Sequence, residues 1–165
     1  MTNILKIWNR ISLKSFWTLV KLCFISPLYV FPTISATNKC MAISTKLYGR
    51  EHYKNGPANA FRHAFWNYLI AKKCFSWKKK VESVLTWTKK ITDWHEAAFP
   101  NRELSRMMDL HNNEVGRFMF KECLTKIESQ VVDTLREMTS DAVKINARTD
   151  LTLLKNQLVY IIEDK

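Results

Sequence analysis

Apolar side chains recur along this chain at intervals of three and four, not two. Val81, Val84, Leu85, Thr88 and Ile91 form one such stripe, and Ile127, Val131 and Leu135 keep the same period further on. That is the spacing of helices with one buried face. The breaks are marked by proline and glycine. Ser26-Pro27 ends a first helix over about 3–25. Pro32 suits the first turn of a second helix, which stops at Gly49. A polar loop, REHYKNGP, spans 50–57. A third helix opens at Pro57, and a fourth covers about 78–98, where Phe99-Pro100-Asn101 breaks it. A fifth starts near Arg102 and continues to about Met138. Near the end the pattern changes: LVYIIE at 158–163 is rich in β-branched residues, with AVKIN at 142–146 as its partner. The expectation is a mainly α, single-domain bundle of about five helices with a small C-terminal two-stranded β element. Such a pair is marginal alone and has to lean on the helices. The parts are a basic amphipathic helix in residues 1–27, a helical core in 28–140, and a β-containing tail in 141–165.

Two of the predicted helices carry a polar stripe where a plain amphipathic helix would have Lys and Glu. In NAFRHAFWN, residues 59–67, Asn59, Arg62, His63, Trp66 and Asn67 share one face. Ala60, Ala64 and Ala71 form a small-residue stripe on another face, where a neighbouring helix can come close. In MDLHNNEVGR, residues 108–117, Asp109, Asn112, Asn113, Gly116 and Arg117 follow the same spacing. His95 and Glu96 of the fourth helix can close the group. The four histidines, His52, His63, His95 and His111, all fall within this part of the chain.

Two readings of these residues stand side by side. In one they are a buried polar network that sets helix register, with Asp109 paired to an arginine and its remaining hydrogen bonds made by amides. In the other they line a hydrolytic site. His63, His95, Glu96 and Asp109 are then the catalytic candidates, as acid/base groups or as ligands of a divalent metal, for which His63, His95 and Asp109 are the candidates. Asn59, Arg62, Trp66, Asn112, Asn113 and Arg117 are the substrate-binding candidates, with the arginines receiving an anionic group. No HExxH, HxxxH or CxxC spacing is present, so a metal-free His–carboxylate pair fits as well as a metal centre. There is no phosphate loop, no GxSxG elbow and no GxGxxG, and three glycines leave little room for a nucleotide cradle.

Charge adds a direction. The net charge is +11, of which residues 1–50 carry +7, because the first acidic residue is Glu51. The N-terminal third therefore seeks an anionic substrate or surface. Residues 22–36, LCFISPLYVFPTISA, imitate a signal peptide, but Pro27 and Pro32 interrupt the run and the basic stretch before it is itself apolar. Peripheral membrane contact through residues 1–27 is a second reading. The third, which is favoured, packs Trp8, Ile11, Phe16, Trp17, Leu19 and Val20 onto the domain with the lysines in water. Nucleic acid is a less favoured partner. Cys23, Cys40, Cys74 and Cys123 are scattered, which suits reduced thiols in a cytoplasmic protein, with the membrane surface as an alternative place.

The three blocks NAFRHAFWN, HE at 95–96 and MDLHNNEVGR together resemble an uncharacterised bacterial domain family. Its members share N-A-x-R-H-A-x-W, a later H-E pair and M-D-L-x-N-N-x-x-G-R. They occur as stand-alone proteins and at the C-terminal ends of large cell-wall or toxin-like proteins. The resemblance covers roughly residues 28–120. It implies that Asn59, Arg62, His63, Trp66, His95, Glu96, Asp109, Asn112, Asn113, Gly116 and Arg117 fall on the family's motif, with no activity assigned to them. The combined expectation is a hydrolase-like domain with a His/Asp/Glu centre, with or without a metal. Its rival is a non-catalytic helical module with a basic N-terminus that docks on a membrane or partner.

Overall fold

The computed structural model describes residues 12–99 and 101–162. Six helices lie among them: α1 (Leu13–Ile25), α2 (Pro27–Tyr48), α3 (Pro57–Trp77), α4 (Val81–Ala98), α5 (Glu103–Glu122) and α6 (Glu128–Ser140). The fold is mainly α, with two short strands near the C-terminus, β1 (Val143–Lys144) and β2 (Val159–Tyr160). The expected helix start near residue 3, and the packing of Trp8 and Ile11, lie outside the described residues.

α3 is the axis of the bundle. Thirteen of its 21 residues are buried, and α2, α4, α5 and α6 all pack against it. Its apolar side chains Phe61, Phe65, Tyr68, Leu69 and Ile70 are fully buried and form the centre of the core. Burying chains of this size removes on the order of 2 kcal/mol of apolar exposure each.

The helix boundaries follow local chemistry. Ser12 caps α1 by accepting from the Ser15 N–H. Pro27, not Pro32, opens α2, since its missing N–H costs nothing there; Pro32 then falls inside the helix and is buried. Gly49 ends α2 with φ of 56°, a backbone conformation that suits glycine. The predicted fifth helix is in fact two. The chain turns between Cys123 and Ile127, and Lys72 Nζ donates to the carbonyls of Leu124 and Lys126 freed by the break. The period of Ile127, Val131 and Leu135 survives because α6 packs back on α3 and buries Val131 and Leu135. Spacing alone cannot distinguish one long amphipathic helix from two that share a core.

The strands pair in parallel, Val143 with Val159 and Lys144 with Tyr160. The pair leans on α5 through Asn112, whose Oδ1 accepts from the Val159 N–H at 3.0 Å while its Nδ2 donates to the Val159 carbonyl at 2.8 Å. Met108, Ile145, Val159 and Ile161 close a second small core beneath it.

The chain bends by 116° between α1 and α2. No single described helix is long and apolar enough to cross a membrane; α1 and α2 satisfy length and composition only together. Cys40, Cys74 and Cys123 are buried free thiols, and Cys23 is a partly buried one.

Candidate functional site

The site begins with a crossing of two backbones. A Cβ on Gly116 of α5 would lie 2.1 Å from the carbonyl oxygen of Ala64 on α3. The absence of a side chain at Gly116 lets the helices touch main chain to main chain, with Ala60, Ala64 and Ala71 buried along α3. This contact brings Asn113, one turn before Gly116, and Arg117, the residue after it, against His63 and Asn67.

A directed chain of hydrogen bonds runs through the contact. Arg117 NH1 donates to Asn67 Oδ1 at 2.9 Å, and Thr92 Oγ1 donates to the same oxygen at 3.2 Å. Asn67 Nδ2 donates to Asn113 Oδ1 at 2.6 Å, and Asn113 Nδ2 donates to Glu96 Oε1 at 3.1 Å. A guanidinium can only donate, and an ionised carboxylate can only accept. The two ends therefore fix both amides. Asn113 Oδ1 must then accept from His63 Nδ1, 3.1 Å away, so the proton of His63 sits on Nδ1. Its Nε2 carries the lone pair and accepts from Arg62 NH2 at 2.8 Å. Burial and the nearby Arg62 charge hold His63 well below the usual histidine range, so the imidazole is neutral.

Asp109 Oδ1 lies 3.3 Å from His63 Nε2, is buried, and makes no hydrogen bond of its own. Burial first, and then the charge of Glu96, push Asp109 up to about 8. Glu96 is raised too, by burial. Arg62, half-buried, has no carboxylate within ion-pair distance among the described residues. It opens onto a cleft of about 210 Å³ lined by Thr37, Cys40, Met41, His63, Trp66 and His95. Burial pushes the Cys40 thiol up to about 12, which leaves it unreactive as a nucleophile near neutral pH.

The predicted site residues separate into three groups. His63, Glu96 and Asp109 converge: one ligand atom from each lies within 4.8 Å of the others. His95 does not join that trio. It lies edge-on against Trp66 at 5.1 Å and tilted against Phe99 at 4.9 Å, lines the cleft, and is lowered to about 4 by burial and then Arg62. Arg62 and Trp66 form the cleft wall, where Trp66 Nε1 donates to Thr37.

Three residues expected to bind substrate point elsewhere. Asn112 is fully spent on β2. Arg117 anchors the hydrogen-bonded chain and pairs with Glu114, at the end remote from the cleft. Asn59 is buried and donates to the His52 carbonyl at 3.4 Å, with its own Oδ1 unpartnered. Asn113 orients His63 and lies fully buried. Conversely, the sequence reading leaves out Asn67 and Thr92, the middle of the chain of bonds, and Thr37, Cys40 and Met41, the cleft wall supplied by α2. Asn67 shares the stripe of His63 and could have been included on that ground; nothing in the spacing of α2 or α4 marks the others as site residues.

The fold and site thus define a helical domain built around a buried His/Glu/Asp cluster beside an open cleft. The chain belongs to the family described as Domain of unknown function (DUF6973), whose sequence model matches residues 20–143. No curated protein and no solved structure matches the chain.

Proposed function

We propose that the chain is a hydrolase of an anionic ester, in which His63 handles the proton and Arg62 receives the negative charge. One observation carries the reading: a guanidinium with no carboxylate partner among the described residues meets the lone pair of a neutral, tautomer-fixed imidazole at an open cleft. An unpaired cation on a cleft wall favours an anion there. An oriented imidazole in the same place can accept a proton from water.

His63 Nε2 takes one proton from water, and the water oxygen bonds to the phosphorus or carbonyl carbon of the ester. The bond to the leaving oxygen breaks, and the imidazolium returns the proton to that oxygen. Arg62 exchanges its hydrogen bond to Nε2 for one to the substrate's oxygens, leaving Nε2 free to act. Asp109, beside the same nitrogen, offers a carboxyl group to the imidazolium. Asn113 is a positioning residue that keeps the lone pair of His63 on the cleft side.

A second reading is favoured by the orphan Oδ1 of Asp109. Two carboxyl groups and an imidazole converge in a buried place, which is a donor set that suits a divalent cation held by His63, Glu96 and Asp109. When bound, such an ion would supply Lewis acidity and an activated water.

The test uses purified full chain with bis(p-nitrophenyl) phosphate, p-nitrophenyl phosphate and the anionic carboxylic ester mono-p-nitrophenyl glutarate, with and without EDTA. Release of p-nitrophenol that disappears in folded His63→Gln and Arg62→Gln is the expected result. Loss on EDTA treatment and return on adding Zn²⁺ or Mn²⁺ would select the second reading. No turnover of any of the three by folded protein, with or without added metal, would overturn both.

A further inference from the structure

We infer that the corner formed by α1 and α2 docks on an anionic lipid surface. The inference stands apart from the chemistry of the cleft. α1 is an apolar helix with no buried residue. Trp17, Phe24 and Ile25 on α1 and Leu28 and Phe31 on α2 are all exposed, Phe24 at 82% and Phe31 at 66%. Trp77, at the end of α3, lies 6.0 Å from Phe31 and extends the patch. Soluble surfaces rarely gather so many large apolar side chains, and such patches mark contact with a partner or a membrane.

The surrounding charge chooses the occupant. Lys14 and Lys21 share the outward face of α1 with Trp17, Phe24 and Ile25, and Lys78, Lys79 and Lys80 follow Trp77 directly. Glu51 is the single acidic residue in 1–81, against fourteen basic ones, whereas residues 82–165 carry fourteen acidic and twelve basic. Tryptophan and aliphatic side chains rimmed by lysine are what the headgroup and acyl boundary of an anionic bilayer accepts. A second copy of the chain would bring the same positive field against itself. Nucleic acid would use the lysines and aromatics but has no use for Ile25 and Leu28. The contact proposed is peripheral, because neither helix alone is long and apolar enough to cross a membrane and the chain bends by 116° between them. α2 continues from this corner to Thr37 and Met41 on the cleft wall, so docking sets the cleft alongside the lipid surface.

The experiment is co-sedimentation of the full chain with vesicles of phosphatidylcholine alone and of phosphatidylcholine and phosphatidylglycerol in equal parts. The variants are Phe24→Glu/Phe31→Glu and Lys14→Glu/Lys21→Glu; all four positions are exposed, and circular dichroism confirms the fold. Expected is binding to the anionic vesicles only, weakened by salt, with affinity lowered about fivefold or more for each lysine removed. The phenylalanine pair should abolish sedimentation. No binding to anionic vesicles at low salt, or binding that the phenylalanine variant leaves unchanged, would overturn the inference. So would a wild-type dimer that the same variant dissociates, which would assign the face to a second copy. Tighter binding to duplex DNA than to vesicles, lost in the same variant, would assign it to nucleic acid and overturn it too.

Discussion

Arg62 NH2 donates to His63 Nε2 at 2.8 Å, one residue away on the same helix, and no carboxylate among the described residues pairs with that guanidinium. Cations of this kind are usually paired when they are withdrawn from water. Here the pairing position opens on the cleft.

An anion that enters the cleft should therefore stabilise the protein through Arg62. Phosphate or sulfate in millimolar excess is expected to raise the melting temperature of the wild type, since ligand that binds only the folded state shifts the equilibrium by mass action. Arg62→Gln should remove the shift. Equal shifts in wild type and variant would show that the anion binds elsewhere.

The crossing at Gly116 predicts a severe effect from a single methyl. Gly116→Ala drives a Cβ into the Ala64 main chain, which cannot yield as a side chain can. The expected loss is about 3 kcal/mol or more in urea unfolding. Gly56→Ala is the control, because its Cβ would meet nothing, and the loss of glycine at the N-cap of α3 should cost no more than about 1 kcal/mol. Similar stabilities for the two variants would contradict the close contact.

Asn113 links His63, Asn67 and Glu96, so Asn113→Ala strands three polar groups at once. Unsatisfied buried groups cost about 1–3 kcal/mol each, and the loss should approach the upper part of that range even with relaxation. Imidazole nitrogen NMR supplies a second readout. His63 should be protonated on Nδ1 in the wild type and should lose that fixed tautomer in the variant. A wild-type His63 protonated on Nε2 would reverse the proposed direction of the hydrogen bonds.

Stability should peak at an intermediate pH. Burial lowers His52, His63 and His95 beneath the ordinary value of 6.5, with Arg62 adding to each. As pH falls through 6.5 the unfolded chain binds protons there that the folded chain does not, so stability drops on the acid side. Asp109 works the other way. Raised to about 8, it keeps its proton only when folded, and that contribution is lost as pH rises toward and through 8. Glu96, raised by burial as well, works in the same direction as Asp109, and the three imidazoles outweigh the two carboxyls on the acid limb, which places the maximum at about pH 6–7. Asp109→Asn should flatten the alkaline limb. Wild-type stability that keeps climbing from pH 7 to 9 would refute the assignment.

How much of this was legible beforehand depends on the residue. The polar stripe of α3 placed His63 correctly beside Asn113, because helical spacing fixes which side chains share a face and Ala64 and Gly116 permit close approach. The same spacing put Asn112 and Arg117 beside them; Asn112 turns to β2, and Arg117 joins through Asn67 at the end away from the cleft. A helix face spans a wide arc, and its two edges meet different neighbours: β2 at Asn112, α4 at Arg117. His95 was grouped with Glu96 because they are adjacent in sequence, yet neighbours on a helix point about 100° apart, so one enters the trio and the other lines the cleft. The α2 wall of the cleft carries no periodic signal and emerges only from tertiary packing. The family match covers the whole site and adds no chemistry to it.

The hydrogen-bonded chain from Arg117 to Glu96 has a further consequence. A network built only of amides is degenerate, since each carboxamide can invert and exchange its oxygen for its nitrogen at little cost. Two charged ends of opposite kind lift that degeneracy and leave one arrangement as the ground state. Every copy of the molecule then holds the same His63 tautomer before anything binds, so on the proposed reading an entering anion has only to draw Arg62 away from Nε2, and no amide has to turn.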